Sequence, residues 1–124
     1  MEGRLSQLRS LGQKDKAPAY SALLTEVLSQ QDTTAITRDV HTVIETVVTQ
    51  DNVGIVVGRQ ILSELVKNLA GGIVKNLDVK KEIVKDTLAI VQPHLVSYEE
   101  QVCVVRLLHW LCIDWTLYYY RSIR

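Results

Sequence analysis

The segment that decides the fold starts at Asn52 with Asn-Val-Gly-Ile-Val-Val-Gly-Arg-Gln-Ile-Leu and resumes at Lys81 with Lys-Glu-Ile-Val-Lys-Asp-Thr-Leu-Ala-Ile-Val-Gln-Pro-His-Leu-Val-Ser-Tyr-Glu-Glu-Gln-Val. In both stretches apolar residues recur at helical spacing, and the first stripe continues to Leu69, which is too long for a typical strand. The segment holds no arrangement typical of a catalytic nucleophile, a metal cluster or a phosphate-binding loop. It therefore predicts helices and a binding role rather than chemistry.

The helix predicted in the first stretch contains two glycines. Residues 54–58 alone resemble a buried strand, and a glycine in a helix interior costs about 1 kcal/mol relative to alanine. Because the apolar stripe is unbroken, we interpret the segment as one helix in which Gly54 and Gly58 allow a neighbouring helix to approach closely. The sequence Ala70-Gly71-Gly72 ends it. The expected stripe comprises Val53, Val56, Val57, Gln60, Ile61, Leu65 and Val66.

Two helices are predicted at the start of the chain. The first is short and ends at Gly12, and its apolar positions are Leu5, Leu8 and Leu11. Pro18 fits the first turn of the second helix, where the missing proline N–H is not needed. The stripe of this second helix comprises Tyr20, Leu23, Leu24, Val27 and Leu28.

A polar loop, Ser29–Thr34, separates the second helix from the third, and Asp32, Thr33 or Thr34 can cap the third helix. A strand is the alternative for this segment, because Val and Thr favour sheets. Strict alternation is absent, however, and the helical spacing persists for three turns. The expected buried face comprises Ile36, Val40, Val43, Ile44 and Val47.

The fifth predicted helix begins with Asp78 as its cap and stops at Pro93, and its buried stripe comprises Ile83, Val84, Leu88 and Val91. Ser97 and Glu100 have the spacing of a capping box, which would start a sixth helix. Helix pairs at 17–50 and 52–92 have the period of α-solenoid repeats. The predicted fold is all-α, an α-solenoid-like fragment of about six helices.

Composition excludes several classes of function. Lys plus Arg and Asp plus Glu are each 14, so the net charge is zero, which argues against a nucleic-acid partner. Residues 1–13 have no apolar core of a signal peptide, so reduced thiols and a location in the cytoplasm and nucleus are expected. Lys80, Lys81 and Lys85 are balanced by neighbouring acids, which is typical of a solvated helix face.

The residues that could carry chemistry have simpler interpretations. Cys103, His109 and Cys112 lie in one short window near Asp114, but a zinc site usually needs four ligands in paired spacings, so no metal is expected. His41 and His94 are interpreted as isolated, His41 in a polar helix position and His94 after a proline, and neither pairs with a nucleophile. The prediction is therefore a protein that is not an enzyme and has no cofactor.

The segment resembles the subunit 4 family of the COP9 signalosome, a family of helical-repeat scaffold proteins. The matching runs are Asn52-Val53, Arg59-Gln60-Ile61-Leu62, Lys81-Glu82-Ile83, Thr87-Leu88, Gln92-Pro93 and Ser97-Tyr-Glu-Glu-Gln-Val102 with Arg106. The resemblance implies a non-catalytic subunit whose partners are other signalosome subunits and components of cullin–RING ubiquitin ligases. It also implies that deneddylation of cullin is carried out by a different, zinc-dependent subunit. Expected protein-binding residues are Arg59, Gln60, Glu99, Gln101 and Arg106.

The chain departs from the family pattern at Leu107. Residues 1–106 are expected to form the N-terminal helical-repeat region, and residues 107–124 a divergent hydrophobic helix in place of further repeats and the winged-helix PCI domain. The alternative is a small tail-anchored membrane protein using residues 102–120. Arg106 and Asp114 oppose that alternative, because each costs about 2.5–3.5 kcal/mol at a bilayer centre.

Overall fold

The structure, a computed structural model, describes residues 1–94, apart from the side chains of Ile55 and His94. This part of the chain is all α-helical and contains no strand. Its helices are α1 (Glu2–Arg9), α2 (Gln13–Leu28), α3 (Thr33–Glu45), α4 (Ile55–Ala70) and α5 (Leu77–Val91). A π-helical turn, Thr46–Gln50, extends α3, and a 3₁₀ turn, Gln92–His94, follows α5. The sixth helix, expected from Ser97, lies outside the described residues.

The helices stack as successive pairs, which confirms the predicted repeat-like architecture. Helix α2 packs against its partner α3 and also against α4, which occupies the same position in the next pair. Helix α3 packs against α5 in the same way, and α1 covers part of α2. The buried apolar residues of the described part form one cluster, so the core runs continuously through the stack.

The stripes predicted for α2 and α3 are confirmed. Every residue listed for these two stripes is buried, including Val47 in the π-helical turn. Asp32 caps α3, since its carboxylate accepts hydrogen bonds from the N–H groups of Thr34 and Ala35 at 3.1 and 3.4 Å. The strand alternative for this segment is wrong, because the helical spacing decides which residues reach the core.

The predicted end of α1 and the predicted start of α2 are wrong by several residues. Helix α1 ends at Arg9, Leu11 is exposed, and Gly12 begins α2 rather than ending α1. Pro18 therefore lies five residues after Gln13, inside the helix, where proline costs about 3 kcal/mol. Two side chains in the added turn, Gln13 and Lys16, bond to Val53 and Asp51 in the segment after α3.

The glycines of α4 have different roles from those predicted. Gly54 precedes the helix with a φ of 89°, a conformation that L side chains rarely adopt. A Cβ at Gly58 would meet only the Val53 side chain, at 3.9 Å, so no neighbouring helix approaches there. Val56 and Gln60 were expected in the stripe of this helix, but both are exposed, Val56 at 71%. The buried face of α4 is centred on Val57, Ile61, Leu62, Leu65, Val66 and Leu69.

Helix α5 begins two positions earlier than a cap at Asp78 predicts. Asn76 is the cap, and its side-chain oxygen accepts from the N–H groups of Asp78 and Val79 at 3.0 and 3.3 Å. Ile83, Val84 and Val91 are buried as predicted, whereas Leu88 is half-buried and Thr87 is buried in addition. The helix ends at Val91, two residues before Pro93, as the proline rule predicts.

Candidate protein-binding site

A short connection after α3 positions the helix that carries the candidate site. The N–H of Asp51 donates to the carbonyl of Thr46 at 2.7 Å, which closes the π-helical turn. Asn52 then adopts a positive φ of 52°, a conformation that asparagine tolerates better than most residues. Gly54 follows with its own positive φ, and α4 begins. Two unusual backbone conformations, separated by one residue, therefore set the direction of α4.

A buried polar cluster joins this connection to α2. The cluster consists of Lys16, Tyr20 and Asp51. The Asp51 carboxylate pairs with the Lys16 ammonium and accepts a hydrogen bond from the Tyr20 hydroxyl at 2.7 Å. The side chains of Lys16 and Asp51 are only 9% and 5% exposed. Removing one partner of such a pair strands a charge away from water, so the cluster is expected to fix the geometry strongly.

Two further effects follow at this junction. Burial, followed by the hydrogen bond to Asp51 and its negative charge, raises the pKa of Tyr20 well above its ordinary value, so its hydroxyl remains a donor. The Gln13 side chain donates to the carbonyl of Val53 at 2.5 Å, and Arg9 donates to Gln50 at 3.3 Å. The first two helices thus fix the start of α4 from several directions.

A groove of about 700 Å³ lies between α2 and α4. We call it the α2–α4 groove, and its lining residues are Ala17, Pro18, Ser21, Val56, Arg59, Gln60, Ser63, Glu64 and Lys67. Asn68 of α4 donates to the Thr25 hydroxyl of α2 at 3.0 Å beyond one end of the groove. Near the other end, Asp51 joins α2 to the segment that leads into α4. The groove is therefore formed before any partner binds.

The charges of the α2–α4 groove are unevenly compensated. Lys67 pairs with Glu64 at 3.6 Å, and both side chains are substantially exposed. Arg59 is exposed and makes no hydrogen bond or ion pair with another residue in the range 1–94. No titratable side chain in the lining beyond these three contributes charge. The groove thus offers an uncompensated guanidinium beside an exposed apolar side chain, Val56.

Two of the residues predicted to bind protein line this groove. Arg59 and Gln60 are both exposed there, while Glu99, Gln101 and Arg106 lie outside the described residues. Val56 was missed as a surface residue. A helical projection provides the missing signal: each residue turns by about 100°, so Val56, Gln60, Ser63 and Lys67 share a face opposite to Ile61 and Leu65.

His41 is not isolated, contrary to the sequence interpretation. Its Nδ1 lies 2.7 Å from Asp86 of α5, and its Nε2 lies 3.0 Å from Glu45 in its own helix. The hydrogen bond to Asp86, helped by the charges of Asp86 and Glu45 and opposed by partial desolvation, raises the pKa of His41 above the ordinary 6.5. We call this contact between α3 and α5 the His41 bridge.

Metal and membrane interpretations concern mainly the end of the chain. Within residues 1–94, no three His, Cys, Asp or Glu side chains converge as a metal-binding group. No helix in that range combines the length and the apolar character needed to cross a bilayer. Cys103, His109, Cys112 and Asp114, together with the possible span 102–120, lie outside the described residues.

Comparison with known proteins gives one informative relationship. The chain is 32% identical over 107 residues to COP9 signalosome complex subunit 4 of Arabidopsis thaliana. The match covers 86% of this chain but 25% of that protein, so the chain spans about a quarter of its relative. No protein-family profile matches the chain. No solved structure matches it with significance. The chain is thus distantly similar, over most of its length, to part of a signalosome subunit.

Proposed function

We propose that this protein is a non-catalytic scaffold module of the COP9 signalosome type. The similarity to subunit 4 carries the proposal, because it extends across most of the chain. The stacked helical pairs support it, since such stacks present extended binding surfaces rather than enclosed reaction sites. The partners are other signalosome subunits and components of cullin–RING ligases, and the protein acts in the cytoplasm and nucleus, without a cofactor.

The proposed binding surface includes the α2–α4 groove. Arg59 and Gln60 lie in it, and arginine is enriched among residues that dominate binding energy at protein interfaces. The remaining proposed contacts, Glu99, Gln101 and Arg106, follow in the chain after α5. The repeat region, residues 1–106, would supply the binding surface, with residues 107–124 as a separate C-terminal helix.

A reconstitution experiment tests this role. The full chain would be mixed with a signalosome assembly prepared without subunit 4 and resolved by size-exclusion chromatography. We expect the chain to migrate with the assembly and to be displaced by added full-length subunit 4. Failure to migrate with it, or migration that subunit 4 does not reduce, would contradict the proposal.

A second measurement addresses the absence of catalysis. The full chain alone, incubated with a neddylated cullin, is expected to release no Nedd8, whereas the complete signalosome serves as the positive control. Release by the chain alone that persists after removal of metal ions would show an activity that a scaffold role does not include. Loss of that release on chelation would indicate a contaminating zinc-dependent subunit.

A further inference from the structure

We propose that the α2–α4 groove binds an acidic, amphipathic helical segment of a partner protein, with a carboxylate on Arg59 and an apolar side chain on Val56. This inference rests on the proposed binding role and adds the chemistry of the partner. It depends on three properties of the groove: its fixed walls, its exposed apolar side chain and its uncompensated positive charge.

The walls of the groove are fixed by contacts at both ends. Near the start of α4, Asp51 bonds to Lys16 and Tyr20 of α2. Toward the end of α4, Asn68 bonds to Thr25 at 3.0 Å. A groove whose walls are already ordered requires little loss of conformational freedom on binding, which favours affinity. A cleft between two helices also has the shape that accepts an amphipathic helix.

The apolar part of the groove is Val56 with Ala17 and Pro18 across from it. Among residues 1–94, the markedly exposed large apolar side chains are Met1, Leu11 and Val56. Val56 has the greatest exposure of the three, at 71%, and it alone belongs to the groove lining. A single exposed valine is ordinary on a protein surface, but here it lies in a concave site beside an arginine. An aliphatic side chain of a partner would bury it.

The charge of the groove selects the partner. Glu64 compensates Lys67 at 3.6 Å, whereas Arg59 forms no ion pair with an acid in the part of the chain that the structure describes. A guanidinium presents paired N–H donors that match the two oxygens of a carboxylate. A basic partner would meet repulsion at Arg59. A nucleic acid is disfavoured because the chain has zero net charge and the groove lacks a basic stripe.

The test uses a defined peptide with the full chain. The probe is a fluorescein-labelled helical peptide of about four turns, with glutamate and a photoreactive leucine analogue on one face. Binding is followed by fluorescence anisotropy, and cross-linked residues are identified by mass spectrometry. We expect cross-links to the groove lining, and we expect a peptide with lysine in place of glutamate not to bind. A complete lack of binding by the acidic peptide, or cross-links confined to other helices, would overturn the proposal.

Matched variants test each contact. Arg59→Glu is expected to weaken binding about tenfold, which corresponds to the loss of one charge-assisted contact, while Lys85→Glu on α5 leaves it unchanged. Val56→Ser should weaken binding, and Leu11→Ser, which changes an exposed apolar residue outside the groove, should not. All four positions are exposed, so the variants are expected to fold, which circular dichroism checks. Equal effects of the two charge reversals would refute the role of Arg59.

The outcomes separate this inference from the proposed function. If the full chain joins the signalosome assembly but the acidic peptide does not bind, the groove proposal fails alone. If the peptide binds through Arg59 but the chain does not join the assembly, the signalosome role fails alone. If the Arg59→Glu chain binds the lysine peptide instead, charge complementarity at this position is directly supported.

Discussion

Helices α2 and α4 differ from helices α3 and α5 in how they begin and in how they are joined. Both α2 and α4 begin at a glycine, Gly12 or Gly54, with no side-chain cap. Both α3 and α5 begin at a side chain that caps them, Asp32 or Asn76. Buried contacts around Asp51 join the uncapped pair, whereas the half-exposed His41 bridge joins the capped pair. The starts of α2 and α4 therefore depend on tertiary contacts, whereas the starts of α3 and α5 depend on local ones.

The largest expected effect comes from Asp51→Ala. This change leaves the Lys16 ammonium buried without its partner, so we expect a loss of about 3–5 kcal/mol in the free energy of unfolding. Urea denaturation of the full chain, followed by circular dichroism, measures it. Asp15→Ala, at an exposed acid in the first turn of α2, is the matched control and should cost much less. A similar cost for both variants would mean that the buried cluster does not stabilise the fold.

Tyr20→Phe separates the contribution of the tyrosine hydrogen bond from that of the ion pair. The ring still fills the core, but Asp51 loses one of its two side-chain partners and keeps Lys16. We expect a loss of about 1.5–3 kcal/mol, since hydrogen bonds to charged groups contribute in this range. A cost equal to that of Asp51→Ala would assign the stability to the tyrosine contact rather than to the ion pair.

The sequence could predict the starts of the capped helices, α3 and α5, better than the starts of the uncapped helices, α2 and α4. Asp32 follows a polar run and precedes an apolar stripe, so α3 began where expected. At α5 the local signal was ambiguous, because Asn76 and Asp78 are both good capping residues. The start of α2 was not predictable in this way, because Lys16 pairs with Asp51, which lies thirty-five residues away. The role of Gly54 was not predictable for the same reason, because it depends on contacts between residues that are distant in the sequence.

The candidate site was partly predictable for similar reasons. Arg59 and Gln60 were singled out, and both lie in the α2–α4 groove. The opposite wall, at Ala17 and Pro18, required knowledge of which helices pack together. His41 was misjudged because its partner Asp86 comes from another helix pair. Periodicity reports the buried face of one helix and does not report contacts between helices.

Capping substitutions test the local contacts at the start of α5, and their expected effects on stability are intermediate in size. Asn76→Ala is expected to cost about 1 kcal/mol, the usual value for an N-cap. Asp78→Ala removes only a favourable charge in the first turn, so it should cost about 0.5 kcal/mol or less. Denaturation curves of the two variants decide between them. A larger loss at Asp78 would restore the sequence-based assignment of the cap.

The smallest expected effect concerns the pH dependence of the His41 bridge. A neutral imidazole donates only one N–H, so contact with both Asp86 and Glu45 favours the protonated ring. Because the folded pKa is raised, this stabilisation is fully present below the unfolded value near 6.5 and is lost as pH rises through the folded pKa. The half-exposed site limits it to below about 1 kcal/mol. His41→Gln should flatten this pH dependence, and an unchanged profile would exclude His41 as its source.

The difference between the two pairs of helices is tested most directly by hydrogen exchange of the full chain at two pH values. These are about pH 5.5 and about pH 8, on either side of the ordinary histidine pKa. After correction for intrinsic exchange rates, amides of α5 should lose protection at the higher pH. Local opening of this helix breaks the His41 bridge, and the bridge is weaker once His41 has lost its proton. Amides of α2 and α4 should keep theirs, since the His41 bridge joins α3 to α5 and not these two helices. Equal changes in all four helices, or none in α5, would contradict the account.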